Sequence, residues 1–352
     1  MKTKGFNFNG FKLILQSTQE DLVEYFTEEL PKIYGKDNCK LTNDYLFCKG
    51  KNKVLLVAHM DTVHTDVPEL ILFDSQQGII WSPQGIGGDD RGGIYSIIYI
   101  INYCVKNNKD LPCVLFTTSE EIGCVGAKKA ADELEDEVKD IMFAIELDRK
   151  GSEDMVFYGC KNDDFEKFIE EFGFKKATGS CSDISKICPE WGFAGVNLSH
   201  GVYNCHTKNE LIYVDEMFNT INKVIKILES DSKKKFEYFD GKCSKSSKYS
   251  NISLDRYNKS KSYINSYDVD DNEEEEEEEK ESAKFLENYG KYYGSCYDDY
   301  YYNDVPMIGK EEDDSLVEDK YKNHPKWKKY KDAYGVKWAK CLIDDPDYSE
   351  MA

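Results

Sequence analysis

The chain has 352 residues, enough for one large or two small domains, and its first two thirds alone can bury a full hydrophobic core. Its 67 acidic against 46 basic residues give a formal charge of -21, which opposes nucleic-acid binding and favours cations as ligands. No run of 18 apolar residues marks a membrane span, residues 11–15 are too short for a secretory signal core, and the twelve cysteines form no CxxC pair, so reduced thiols in a cytoplasmic protein are expected.

Ser17-Thr18-Gln19-Glu20 reads as a capping box, and Leu22, Val23, Phe26 and Leu30 follow at helical spacing, which predicts a helix to about Tyr34. Strand-like runs come next at 44–48, 53–58, 70–73 and 78–81. The period then changes: Ile94, Ile97, Ile98, Ile101 and Cys104 form the stripe of a largely apolar helix over 91–105. A strand at 111–117, a helix at 125–134, a strand at 141–147, an amphipathic helix at 163–172, a strand at 193–198 and a closing helix at 214–228 complete the series. Strands separated by helices predict an α/β fold with a mainly parallel or mixed sheet sandwiched by helices, a three-layer α/β/α arrangement. In such sheets ligands gather beyond the carboxyl ends of the strands.

The folded unit is expected over 1–230. Residues 231–352 read as an acidic, Tyr- and Lys-rich low-complexity tail, mostly disordered, in which the run Glu273 to Glu279 repels itself. Trp327, Tyr330, Tyr334 and Trp338 recur at roughly helical spacing, so a short helix there could dock on the folded unit or on a protein partner.

Five apolar segments end in groups that are costly to desolvate. His59 and Asp61 follow the strand at 53–58, and Asp89 lies in "GIGGDDRGG" after 78–81. Glu120 and Glu121 follow 111–117, Asp148 ends 141–147, and "SHGVYNCHTKNE" follows 193–198 with His200 and His206. Each has an ordinary reading by itself: a hydrogen-bonded pair, a helix cap or a solvated turn. If the sheet is parallel, however, the ends converge, and two imidazoles with at least four carboxylates share one crevice that only cations make electrostatically tolerable. "GIGGDDRGG" is no phosphate loop, because two carboxylates stand where a phosphate would sit.

The ordered set of H-x-D, Gly-Gly-Asp-Asp-Arg, Ser-Glu-Glu, Glu-Leu-Asp and Asn-Cys-His-Thr-Lys-Asn-Glu resembles the co-catalytic di-zinc exopeptidases, including peptidase T, the glutamate carboxypeptidases and the zinc aminopeptidases, over about residues 11–230. The resemblance implies a metallopeptidase catalytic domain in which His59, Asp89 and Asp148 hold one metal and Asp89, Glu121 and His206 the other. Asp89 would bridge, Asp61 would orient His59 and Glu120 would act as general acid and base. Two divalent ions about 3.5 to 4 Å apart would share a water, lower its pKa towards about 7 and polarise a carbonyl. Zinc suits this donor set; manganese or cobalt would also accept it.

The implied activity is exopeptidase hydrolysis of short peptides, with neither nucleic acid nor membrane as partner. N-acyl amino acid deacylation by the same mechanism is the alternative. So is a non-catalytic metal-binding scaffold that recruits a partner through the tail, which would have no need of Glu120. Peptidase T carries a lid and dimerisation insertion between its Asp ligand and final His. Asp148 and His206 are too close in sequence for one, so the resemblance is to the catalytic domain alone and leaves open whether a free amine or carboxylate is recognised. His200, His64 and Asp183 in "GSCSDISK" are candidate substrate contacts, with capping or loop hydrogen bonding as their ordinary reading. A structural zinc on Cys181 and Cys188, or a nucleophile at Cys205 or Cys181, is disfavoured: the spacing is wrong for the first and no nucleophile turn supports the second.

Overall fold

Thr18, one residue later than the sequence pattern suggested, starts the long N-terminal helix. Its side chain accepts the amide of Asp21, whose carboxylate takes the Thr18 amide in return. The shift has a local cause: a shorter helix precedes it, and Ser17 Oγ is already donating to Leu13 O at 2.7 Å. These are α1 (Phe8–Leu15), capped by Asn7, and α2 (Gln19–Tyr34) of a computed structural model that describes residues 6–241. Glu273 to Glu279 and the aromatic series of the tail lie outside the described residues.

The strands β1 (Cys39–Leu41), β2 (Tyr45–Cys48), β3 (Asn52–His59), β4 (Leu72–Asp74) and β5 (Ile79–Trp81) lead to α3 (Gly88–Lys106). β6 (Pro112–Thr117), α4 (Val125–Glu133), β7 (Phe143–Arg149), β8 (Asp154–Val156), α5 (Asp163–Glu170), β9 (Lys175–Lys176) and α6 (Ile184–Trp191) follow. The described chain closes with β10 (Gly195–Ser199), β11 (Val202–Tyr203), β12 (Leu211–Tyr213) and α7 (Val214–Glu229). β1, β8, β9, β11 and β12, of two or three residues each, and α6, with Pro189 inside its eight residues, were not expected and are too short to leave a periodic signal.

One sheet has eight strands in the order β1-β2-β6-β3-β7-β10-β8-β9. Its centre, β6-β3-β7-β10, is parallel; β2 pairs antiparallel with β6 and β8 with β10, so the sheet is mixed. Alternation along β3 divides its apolar residues between two cores. Val54, Leu56 and Ala58 pack with α1, α2, α3 and α7, whereas Leu55 and Val57 pack with α4 and α6. Each buried side chain of this size contributes about 1.5–3 kcal/mol, which explains why one register is held. Among the described residues no helix is long and apolar enough to cross a membrane.

The strand at 79–81 departs from the expected single sheet. With β4, β12 and β11 it forms a separate antiparallel sheet, in which Trp81 pairs with both Leu72 and Leu211. That small sheet ties the segment before Asp89 to the segment after His206. Arg91, buried at the start of α3, donates to the carbonyls of Ile14 and Ser17 at 2.8 and 2.5 Å and so satisfies the end of α1.

Candidate metal centre

On the face of the main sheet that carries Leu55, Leu115 and Ala144, the same alternation brings His59, Thr117, Glu146 and Asp148 to the carboxyl ends of β3, β6 and β7. The apolar face thus turns polar at one rim. The chain then adds Asp89 from the start of α3, Glu121 from the turn after β6 and His206 from the turn between β11 and β12.

Asp89 stands at the centre. Its Oδ1 lies 3.1 Å from His59 Nε2 and its Oδ2 lies 3.1 Å from His206 Nε2. Asp148 Oδ1 is 3.5 Å from the same His59 nitrogen, and Glu121 Oε2 is 3.2 Å from the same His206 nitrogen. Two His/Asp/Glu clusters therefore share one carboxylate. Four such donors around an ion at 2.0–2.1 Å would sit about 3.3 Å apart, close to these separations.

The electrostatics point the same way. Burial, and next the charge of Asp89, push the Asp148 carboxyl well above its ordinary range. Burial opposes ionisation of Asp89 too, but the contacts with His206 and His59 hold it well below the usual carboxylate value. Burial would pull the His59 imidazole down, yet Asp148, Asp61 and Asp89 together raise it. Glu121 Oε1 is buried without a hydrogen-bond partner. An oxygen in that state is costly, and a divalent cation would satisfy it while offsetting the crowded carboxylates. The residues present fit a two-cation centre.

Asp61 organises the neighbouring turn. Its two oxygens accept the backbone amides of Glu120 and Glu121, each at 3.0 Å, and Oδ1 also lies 3.3 Å from His59 Nδ1. Burial, with the charges of Asp183, Glu121 and Asp89 behind it and His59 opposing, pushes the Glu120 carboxyl up to about 7. Asp90 is wholly buried and structural: its oxygens accept the amides of His59 and Gly93 at 3.2 and 3.0 Å.

Glu210 had drawn no assignment, although it ends the quoted "NCHTKNE". It is buried, accepts the amide of Asp89 on Oε1 at 2.9 Å and faces His64 Nε2 with Oε2 at 3.3 Å. Asn197 was likewise missed; its Oδ1 accepts the Asp148 amide at 2.9 Å, and Ser182 Oγ donates to Asp148 Oδ2 at 2.9 Å. Only partners far apart in sequence reveal these roles.

The three candidate substrate contacts, His200, Asp183 and His64, lie beside the clusters. His200 is buried 3.6 Å from Asp90, and burial pulls it down to about 4, so it sits neutral. Asp183 is also wholly buried, accepting from Thr117 Oγ1 and, through its amide, donating to Glu146 Oε1 at 3.1 Å. His64 is engaged with Glu210 and is 13% exposed. His200 and Asp183 are wholly buried, with both ring nitrogens of His200 and Oδ1 of Asp183 lacking a hydrogen-bond partner, and His64 pairs with Glu210. Cys188 is buried, whereas exposed Cys181 faces Cys124 at 3.7 Å; the Cys205 thiol is pushed up by burial.

The description "Peptidase family M28" matches residues 45–186, a span that holds His59, Asp61, Asp89, Glu120, Glu121 and Asp148 and stops before His206. The fold is similar to a tripeptidase from Staphylococcus aureus, at 15% identity over 63% of this chain and 96% of that one, with a TM-score of 0.50. It is similar to an aminopeptidase from the archaeon Desulfurococcus kamchatkensis, at 14% identity over 64% and 94% of the two chains, also with a TM-score of 0.50. The aminopeptidase PepT from Bacillus cereus matches at 17% identity over 63% and 96%, with a TM-score of 0.48. Among curated protein sequences none matches significantly. The chain is thus similar over 45–186 to the peptidase family M28 description and shares a fold with peptidases of low sequence identity. Residues 149–205 are built into the main sheet and its covering helices together with the first strand of the small sheet.

Proposed function

We propose that the chain is a metal-dependent exopeptidase acting on short peptides. One observation carries the reading: the two oxygens of Asp89 are each within 3.1 Å of a different histidine, with Asp148 completing one cluster and Glu121 the other. His59, Asp89 and Asp148 would hold one divalent cation, and Asp89, Glu121 and His206 the second; zinc, manganese or cobalt fits these donors. Bound together, such ions supply a water acidified to near neutrality and Lewis-acid polarisation of the scissile carbonyl.

The protein's own groups do the rest. Glu120, whose amide is fixed by Asp61, takes a proton from the attacking water and returns it to the leaving amine. Asp61 holds His59 in the tautomer that presents Nε2 to the centre. Glu210 and Asn197 fix the backbone amides of Asp89 and Asp148, so both carboxylates are oriented before substrate arrives.

The test is elemental analysis of the purified protein joined to hydrolysis of a small peptide panel in which either terminus is blocked. Expected are two equivalents of metal and turnover confined to one free terminus. Glu120→Gln should retain the metal and lose about 10²–10⁴-fold in kcat, the usual range for general acid–base groups. Undiminished turnover by that variant, or metal-free protein with full activity, overturns the reading.

A further inference from the structure

Beside the paired clusters, Glu120, Cys124 and Asp183 converge, and Cys181 approaches Cys124. Cys124, at the N-cap of α4, has its sulfur 3.7 Å from that of Cys181 and donates to Glu120 Oε1 at 3.4 Å. Glu120, Cys124 and Asp183 each bring a donor atom within 4.8 Å of the others. A disulfide would require about 2.05 Å between the sulfurs. Two thiolates sharing a tetrahedral zinc at about 2.3 Å would lie about 3.8 Å apart, as these do.

Asp183 adds an independent indication of a ligand. It is wholly buried; its Oδ2 accepts from Thr117, while Oδ1 has no hydrogen-bond partner. A buried carboxylate with an unsatisfied oxygen, beside the sulfur of Cys124 and a second carboxylate, is the condition a cation relieves. Exposed Cys181 gives that cation a way in from solvent.

We infer that Cys124, Cys181, Asp183 and Glu120 form a third cation site, separate from the paired clusters, which takes a thiophilic divalent ion such as zinc or cadmium. Binding would expel the thiol protons to solvent. Where the peptidase reading holds, and only there, a filled third site withdraws Glu120 from proton transfer and makes excess metal inhibitory.

None of the proposed ligands of the paired clusters is a thiol, but Cys205 is hydrogen-bonded to Asp89, so the thiolate-to-cadmium charge-transfer band is assigned by its loss in the double variant. A second thiol pair, Cys39 and Cys48 at 2.9 Å, contributes to no cluster with carboxylates among the described residues. The reduced full-length protein, its paired clusters first loaded with zinc, is titrated with cadmium and followed in the ultraviolet. The band and one further equivalent of metal should appear, and both should be lost in the double variant Cys124→Ser, Cys181→Ser, which keeps its zinc. Equal uptake and equal band in the double variant overturn the proposal.

Should the double variant fail to fold, peptide mapping of the wild type after maleimide labelling decides the matter. Cadmium should shield Cys181 while Cys39 stays labelled; Cys181 labelled equally with and without metal overturns the proposal. Hydrolysis supplies the separate arm: excess zinc should suppress turnover in the wild type and spare Cys181→Ser. A protein with the spectral site but no turnover at all refutes the peptidase reading and leaves the third site standing.

Discussion

The backbone amide of Asp89 donates to Oε1 of Glu210 across 121 residues of chain, at 2.9 Å. Through that bond the turn after β11 governs where the shared carboxylate of the two clusters points. His64 faces the other Glu210 oxygen, so the acid is held from both sides.

Glu210→Ala should therefore weaken metal binding without removing any proposed ligand. The expected loss is about 10- to 100-fold in affinity, as for other residues that orient ligands from behind. Competition with a chromogenic chelator measures it, and an affinity equal to wild type would mean that Asp89 needs no such support.

Asp61→Asn tests the grip on the turn after β6. Asparagine keeps the shape but can accept only one of the two amides, and its NH2 would meet the other donor head-on. Glu120 and Glu121 should shift together, lowering kcat and the affinity of the cluster that contains Glu121, while the melting temperature changes little. Full activity in this variant would remove Asp61 from the account.

Gly93→Ala tests how closely α3 must approach the sheet. A Cβ there would collide with the carbonyl of Leu147 and the carboxylate of Asp90, and a backbone atom of a central strand cannot move aside cheaply. The cost should be about 1–3 kcal/mol, read from the denaturant midpoint. An unchanged midpoint would show that α3 can slide.

Chelation should destabilise the fold as well as stop turnover. The carboxylates of Asp89, Asp148 and Glu121 are crowded in a largely buried centre, and a cation that binds only the folded state stabilises it by about 4 kcal/mol at a thousandfold excess over Kd. The melting temperature should fall in chelator and recover on adding zinc or manganese. A melting curve indifferent to both would argue against any tightly held ion.

Much of this protein was legible along the chain. Continuous apolar runs located β2, β3, β6 and β7, and a helical period located α3 and α7, to within a few residues, because a strand buried on both faces is apolar throughout and a helix buried on one side repeats every 3.6 residues. The recurrence of His59, Asp89, Glu121, Asp148 and His206 at the ends of those elements was visible for the same reason: a polar group directly after an apolar run needs a partner.

Folding in three dimensions decided the remainder. That 79–81 leaves the main sheet for a smaller one, that Glu210 and Asn197 hold the amides of Asp89 and Asp148, and that Cys124 meets Cys181 are all contacts between distant segments. Such contacts impose no period and fill no local cap; they exist only once packing has brought the segments together. Burial then sets the charge state of each group, which is why His200 and Asp183, polar letters in the sequence, end as buried members of the structure around the clusters.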